Sequence, residues 1–312
     1  MSELVRAEHR VDLGDGLTTA VTVIAAPHAV AAAAPRPVVV FAFPGGGYGR
    51  RYFDLQLEEG NGAASSYSQA QHHARRGVVV VACDHLGCGE SDSAEGLTLA
   101  RITAANAATV AEMRRRLAAG QAAPGLAPVR GEIAIGIGQS MGGCFTIAIQ
   151  ARHRCFDAIA ILGYSAHQTV VPVPAGVAPG DFSAEVVRHA WHWHDVPAAI
   201  VDRDLIGYPL PAEGDPLPPW RSRTAPEFAA DLLEPGYSRG DAAAIEVPVF
   251  VAAGERDVVP DVYAEPTAYR SARDVTLYLQ PRSAHMHNFA GTRALLWDRL
   301  AAWYATCATL AV

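Results

Sequence analysis

Ile133-Ala134-Ile135-Gly136-Ile137-Gly138-Gln139-Ser140-Met141-Gly142-Gly143 is the stretch on which the reading of this chain turns. The alternating apolar residues up to Ile137 read as a buried strand, and Met141 to about Arg152 as a helix. Ser140 sits at the turn between them, with glycines two positions before and two after. On so sharp a strand-to-helix turn, side chains at the flanking positions would collide with the neighbouring strand and helix. The turn holds a hydroxyl out at the edge of a sheet, beside the amide of the next residue and a helix N-terminus.

The rest of the chain is consistent with a protein built around such a turn. It has 312 residues, of which 50% are hydrophobic and only 18% charged, so a sizeable core is within reach. The basic residues number 25 and all are arginine; the net charge is -7 with no basic stripe, which removes the electrostatic footprint of nucleic-acid binding. No apolar run is long enough to span a bilayer. Cys83, Cys88, Cys144, Cys155 and Cys307 are irregularly spaced, and the residues from Met1 to Arg6 form no apolar leader. Reduced thiols and a cytoplasmic location are the expectation. Cys83 and Cys88 bracket a loop but have neither a second pair nor a neighbouring histidine cluster, so no metal is assigned to them.

Short apolar runs alternate with helical stretches, the pattern of a mostly parallel sheet covered on both faces. Leu4–Arg10 and Leu17–Ile24 read as paired antiparallel strands around Gly14-Asp15-Gly16. Ala25–Pro37 lacks a period and reads as a surface connection. Val38–Phe43 and Val78–Cys83 read as buried strands, and Ile133–Ile137, Ala158–Leu162, Val247–Ala253 and Val275–Leu279 as further strands. Ser65–Arg76, Leu97–Ala119, Asp261–Ala272 and Thr292–Thr306 read as helices. After Tyr164 the alternation breaks. Two proline-rich stretches, Val171–Pro179 and Tyr208–Pro219, flank an aromatic, helix-compatible segment from Phe182 to Ala199. The expected organisation is a core made of residues 1–164 and 236–312, with residues 165–235 inserted as a helical cap.

A serine hydroxyl is a poor nucleophile at neutral pH and needs a base, usually histidine, whose other ring nitrogen is held by a carboxylate. In a doubly wound sheet such groups come from loops at the C-terminal edge of the strands. The strand ending at Ala253 runs into Gly254-Glu255-Arg256-Asp257, and the strand ending at Leu279 into Gln280-Pro281-Arg282-Ser283-Ala284-His285-Met286-His287. Serine, acid and histidine therefore follow successive strand ends in that order. Glu255 and Asp261 are rivals to Asp257; Asp261 also suits a helix cap. The edge after Leu162 reads Gly163-Tyr164-Ser165 and offers no carboxylate.

With these residues the chain resembles the α/β-hydrolase superfamily. The elbow at Gly138–Gly142, the Gly-Glu-Arg-Asp loop, the Ser-Ala-His run and Asp84-His85-Leu86-Gly87-Cys88-Gly89-Glu90-Ser91-Asp92 are each similar to a family loop, and together they span most of residues 38–312. The resemblance implies an α/β-hydrolase fold: a mostly parallel central sheet, helices on both faces and a helical cap. It implies Ser140 as nucleophile, His285 as base and Asp257 as the acid that orients it. His285 matches the family spacing; His287 is its rival, otherwise read as a supporting or surface residue. Phe43-Pro44-Gly45-Gly46-Gly47-Tyr48 stands where relatives often carry His-Gly, with Pro44 in place of the histidine. By resemblance the amide of Gly46, or of Gly47, joins that of Met141 as an oxyanion hole, a task that needs no histidine side chain.

The implied substrate is a small, moderately apolar carboxylic ester, with no cofactor, no metal, no nucleic acid and no membrane. Thioesterase, lactonase, C–C bond hydrolase and acyltransferase chemistry share the elbow. Dehalogenases and epoxide hydrolases of this family use aspartate where Ser140 stands, and a non-catalytic receptor often loses a triad member. Tyr48, Trp191, Trp193, Tyr208 and Trp220 are the candidate pocket walls, although aromatic residues also pack as core. His189, His192 and His194 next to Asp195 invite a zinc reading, but no cysteine pair or His-Glu-x-x-His helix accompanies them. They are read as the wall of a lid, and His72-His73 as a solvated helix face.

Overall fold

A computed structural model describes residues 3–32, 36–57, 67–178, 180 and 183–310. In chain order the elements are β1 (Val5–Asp12), β2 (Thr18–Ala25), α1 (Pro27–Ala32), β3 (Val38–Phe43), α2 (Gln69–Ala74), β4 (Val79–Cys83), α3 (Leu99–Ala118), β5 (Ile133–Gln139) and α4 (Met141–His153). They continue with β6 (Ala158–Leu162), α5 (Ala184–Trp191), α6 (Ala198–Asp204), α7 (Arg239–Ala243), β7 (Val249–Gly254), β8 (Val275–Gln280) and α8 (Arg293–Leu310). The 8-stranded sheet has the order β1-β2-β4-β3-β5-β6-β7-β8. β1–β2 and β2–β4 pair antiparallel, and every pairing from β4 to β8 is parallel.

Every residue of β3, β4, β5, β6 and β7 is buried, because both faces of the sheet are covered. Strand side chains alternate between the two faces, so each strand feeds two cores. Val39, Phe41 and Phe43 join Phe145, Ile147 and Phe156 on the side of α3 and α4. Val38, Val40 and Ala42 join Trp297, Leu300 and Trp303 on the side of α2 and α8. β3 is bonded to β4 on one side and to β5 on the other. The chain thus leaves β3 in one direction and β4 in the other, and the carboxyl ends of β3 and β5 flank a topological switch point, where open α/β sheets place their ligands.

Four expectations are corrected. Ala25–Pro37 is not wholly irregular, since α1 lies within it. Asp261–Ala272 is not an α-helix: Asp261 Oδ1 accepts the amides of Tyr263 and Ala264 in a local turn, and only a single 3-10 turn, Glu265–Ala268, follows. Pro266 there lacks an N–H and disfavours helical backbone at the residue before it. The aromatic segment is not helical throughout: α5 ends at Trp191, His192 is extended, and Pro197 caps α6 only at the segment's end. His72 and His73 are no solvated face: they pack on Trp297 and Tyr304 of α8, at ring distances of 5.3 and 5.1 Å. Ser65, Ser66, Pro179, Phe182 and residues 33–35 of these expectations lie outside the described residues.

Candidate active site

Ser140 follows directly on β5 and precedes the first residue of α4, with φ 54° and ψ -122°. This is strained backbone for a residue with a Cβ, and strain of that kind survives only where the surroundings impose it. The surroundings are tight. A Cβ on Gly138 would lie 2.1 Å from the Gly142 carbonyl oxygen, and one on Gly142 would lie 2.1 Å from that of Phe43. The neighbours in both cases are backbone and cannot swing aside. Gly142→Ala is therefore expected to cost about 3 kcal/mol or more and to lower Tm by about 5–10 °C, as read by thermal unfolding. A Tm within a degree of wild type would contradict this account of the elbow.

Ser140 Oγ lies 3.0 Å from His285 Nε2, and His285 Nδ1 lies 2.7 Å from Asp257 Oδ1. Asp257 follows β7 and His285 follows β8, so three neighbouring regions of one sheet edge meet here. Asp257 is fully enclosed. Burial alone would raise its pKa, but the imidazoles of His285 and His287 and their hydrogen bonds outweigh it and hold the carboxyl well below the usual range. Glu255 turns elsewhere and accepts the Arg282 amide at 2.8 Å. His287 is neither exposed nor at the serine: its Nε2 lies 2.7 Å from Asp257 Oδ2.

The loop after β3 is fixed from two directions. From below, His85 Nε2 donates to the Pro44 carbonyl at 3.0 Å, and Asn106 Nδ2 donates to His85 Nδ1 at 3.0 Å. Burial draws the pKa of this imidazole down to about 4, which keeps it neutral, and the two hydrogen bonds place its one hydrogen on Nε2. From above, buried Arg221 donates to the carbonyls of Gly47 and Pro209, both at 2.9 Å, and to that of Asp204. The Gly49 amide donates to the Trp220 carbonyl and the Ser222 amide to that of Gly47. Asp204 is itself buried and accepts from Tyr48 Oη, His192 Nε2 and Trp220 Nε1 at 2.7, 2.9 and 2.6 Å. Burial and the Asp204 charge push the Tyr48 phenol up, so it remains the donor.

The end of α5 is locked to the same edge. The last carbonyls of a helix lack partners within it. Here those of Ala190 and Trp191 accept the amides of His285 and Met286 at 3.1 and 2.9 Å. Those of His189 and His192 accept Arg256 Nε and Nη2 at 2.8 and 2.9 Å. The Trp191 ring lies 5.1 Å from the His285 ring. His85, Arg221 and Arg256 were not legible as site residues in the sequence. Each acts across a long separation, and although His85 and Arg256 stand inside quoted motifs, nothing local shows what their side chains bind.

No family model and no curated protein matches the sequence. Solved structures do match. A thermophilic esterase from Thermogutta terrifontis, with malate bound, aligns with a TM-score of 0.63 at 15% identity, covering 97% of this chain and 98% of that one. Est1E from Butyrivibrio proteoclasticus, with ferulic acid bound, gives 0.56 at 14% identity over 96% and 99%. The peroxisomal alpha-beta-hydrolase Lpx1 from Saccharomyces cerevisiae gives 0.57 at 11% identity over 99% and 88%. With the mostly parallel 8-stranded sheet, these matches decide the architecture. The chain has the α/β-hydrolase fold.

On this α/β-hydrolase fold a cavity of about 540 Å³ opens over Ser140 and His285. Tyr48, Trp191 and Tyr208 line it, together with Leu210, Pro226 and Leu233 from the chain between β6 and β7. Trp193 and Trp220, expected to line it as well, do not. Trp193 lies beneath the Arg256 guanidinium at 4.6 Å and borders a separate cleft. Trp220 is 2% exposed, with its indole N–H spent on Asp204. Among the described residues no group of three or more histidine, cysteine or acidic side chains is placed to hold a metal ion. No helix of the described residues is long and apolar enough to cross a membrane.

Proposed function

We propose that the protein is a serine hydrolase that cleaves a small, uncharged, moderately apolar carboxylic ester through an acyl-enzyme. The observation that carries this reading is the Ser140 hydroxyl, 3.0 Å from an imidazole that is itself held by a buried carboxylate, at the base of an apolar cavity. Ser140 Oγ attacks the ester carbonyl while His285 Nε2 takes its proton. His285 returns that proton to the departing alcohol. Water, deprotonated by His285, then releases the acid and restores Ser140. Asp257 keeps the proton of His285 on Nδ1, which leaves Nε2 free to accept.

Developing negative charge on the carbonyl oxygen needs donors already in place. Met141 is the first residue of α4, so its N–H has no partner within the helix. Gly46 lies beside it: a Cβ there would lie 3.7 Å from Met141 Sδ. Gly47 is turned the other way, toward Pro209 and Arg221. This favours Gly46 with Met141 as the oxyanion hole. Residues 165–235 are read as the cap that walls the cavity. Among the described residues no arginine lines the cavity, so an anionic acyl group would find no arginine counter-ion from them. The names of the matched structures, among them an esterase, agree with this reading.

The test is turnover of p-nitrophenyl butyrate, with a fluorophosphonate adduct on Ser140 located by mass spectrometry. Activity blocked by the probe is expected. A protein that hydrolyses no member of a panel of short esters and thioesters, and stays unlabelled, is not this enzyme.

A further inference from the structure

Asp257 carries two imidazoles where one would serve the serine. Its Oδ1 accepts the Val258 amide and His285 Nδ1, both at 2.7 Å; its Oδ2 accepts the Gly254 amide and His287 Nε2, also both at 2.7 Å. An ionised carboxylate only accepts, so both ring nitrogens facing it carry hydrogen. His285 is thereby an Nδ1–H tautomer and His287 an Nε2–H tautomer. The other nitrogen of His287, Nδ1, is buried without a hydrogen-bond partner. The His287 ring therefore spends its one hydrogen bond on the acid of the site. The packing around it is tight, for a Cβ on Gly163 would lie 3.1 Å from both His285 Nδ1 and His287 Cε1. His287 is 1% exposed and does not line the cavity over Ser140.

We propose that His287 is a positioning residue of the hydrolase: by donating Nε2–H to the Asp257 oxygen that His285 leaves free, it stops the carboxylate from turning and so fixes the ring that faces Ser140. This inference rests on the hydrolase reading. Without that donor, Oδ2 keeps only the Gly254 amide, and the carboxylate can rotate about its Cβ–Cγ bond. His285 then samples orientations that do not reach Ser140. Because His287 touches no substrate, the loss falls on kcat and leaves KM alone.

The experiment compares wild type with His287→Phe, which keeps a ring and removes the donor, and His287→Gln, which keeps an N–H donor. On p-nitrophenyl butyrate, His287→Phe is expected to lower kcat about 10–100-fold, the weight of one hydrogen bond to a charged group, with KM within about twofold. His287→Gln is expected to recover most of that loss. Nitrogen-15 NMR of histidine-labelled wild type reads the tautomers directly and does not depend on any variant folding; it should find His287 as Nε2–H. Wild-type kcat in His287→Phe, equal losses in the two variants, or an Nδ1–H tautomer at His287 would each overturn the proposal. A wild type that neither turns over esters nor takes the fluorophosphonate overturns the hydrolase reading instead, a result these variants cannot imitate.

Discussion

Ser140→Ala is expected to lower kcat on p-nitrophenyl butyrate by about a millionfold and to abolish fluorophosphonate labelling. A factor of that size corresponds to about 8 kcal/mol of transition-state stabilisation. On the proposed mechanism it is large because the hydroxyl oxygen forms the new bond, and neither the Met141 amide nor the cavity can replace it. The fold should be indifferent. Alanine keeps the Cβ that already sits at φ 54°, so it neither adds nor relieves strain at the elbow. Single-turnover kinetics with Tm measured alongside separates the two effects. A variant that keeps about a hundredth of wild-type activity would mean that another group performs the attack.

His285→Ala should be nearly as damaging, again about a millionfold in kcat, because the serine proton then has nowhere to go. The double variant with Ser140→Ala should be no worse than either single one, since the two residues act as a unit. The buried ring also packs against Trp191, whose ring lies 5.1 Å away, and hydrogen-bonds Asp257, so Tm is measured alongside. Should His285→Ala stay active while a His287 substitution abolishes turnover, the two histidines would exchange roles, against the 3.0 Å approach of His285 to Ser140.

Much of the fold was legible because the central strands, β3 to β7, are buried on both faces. Val38–Phe43 and Ala158–Leu162 are unbroken apolar runs, and both are strands with those same bounds. The candidate site was legible to the same depth. Serine, aspartate and histidine each stand just past a strand, where a parallel sheet gathers its loops. What the sequence misjudged depends on contacts between distant segments. Asp261–Ala272 has helical composition, yet Glu265 is drawn to Ser165 and the Ala166 amide. Trp193 and Trp220 look like pocket walls until Arg256 and Asp204 claim them.

The sequence by itself determined the succession of the strands, the glycines that make the elbow possible, and the short set of candidate residues for the chemistry. These follow from periodicity, backbone sterics and side-chain type, which are local. Only the tertiary structure decided that His285 faces the serine while His287 holds the far side of Asp257, and that Gly46 rather than Gly47 lies beside Met141. Those outcomes turn on where a ring or a stretch of backbone sits to within an ångström. That placement depends on contacts with Gly163, Arg221 and the end of α5, far along the chain from the residues they touch.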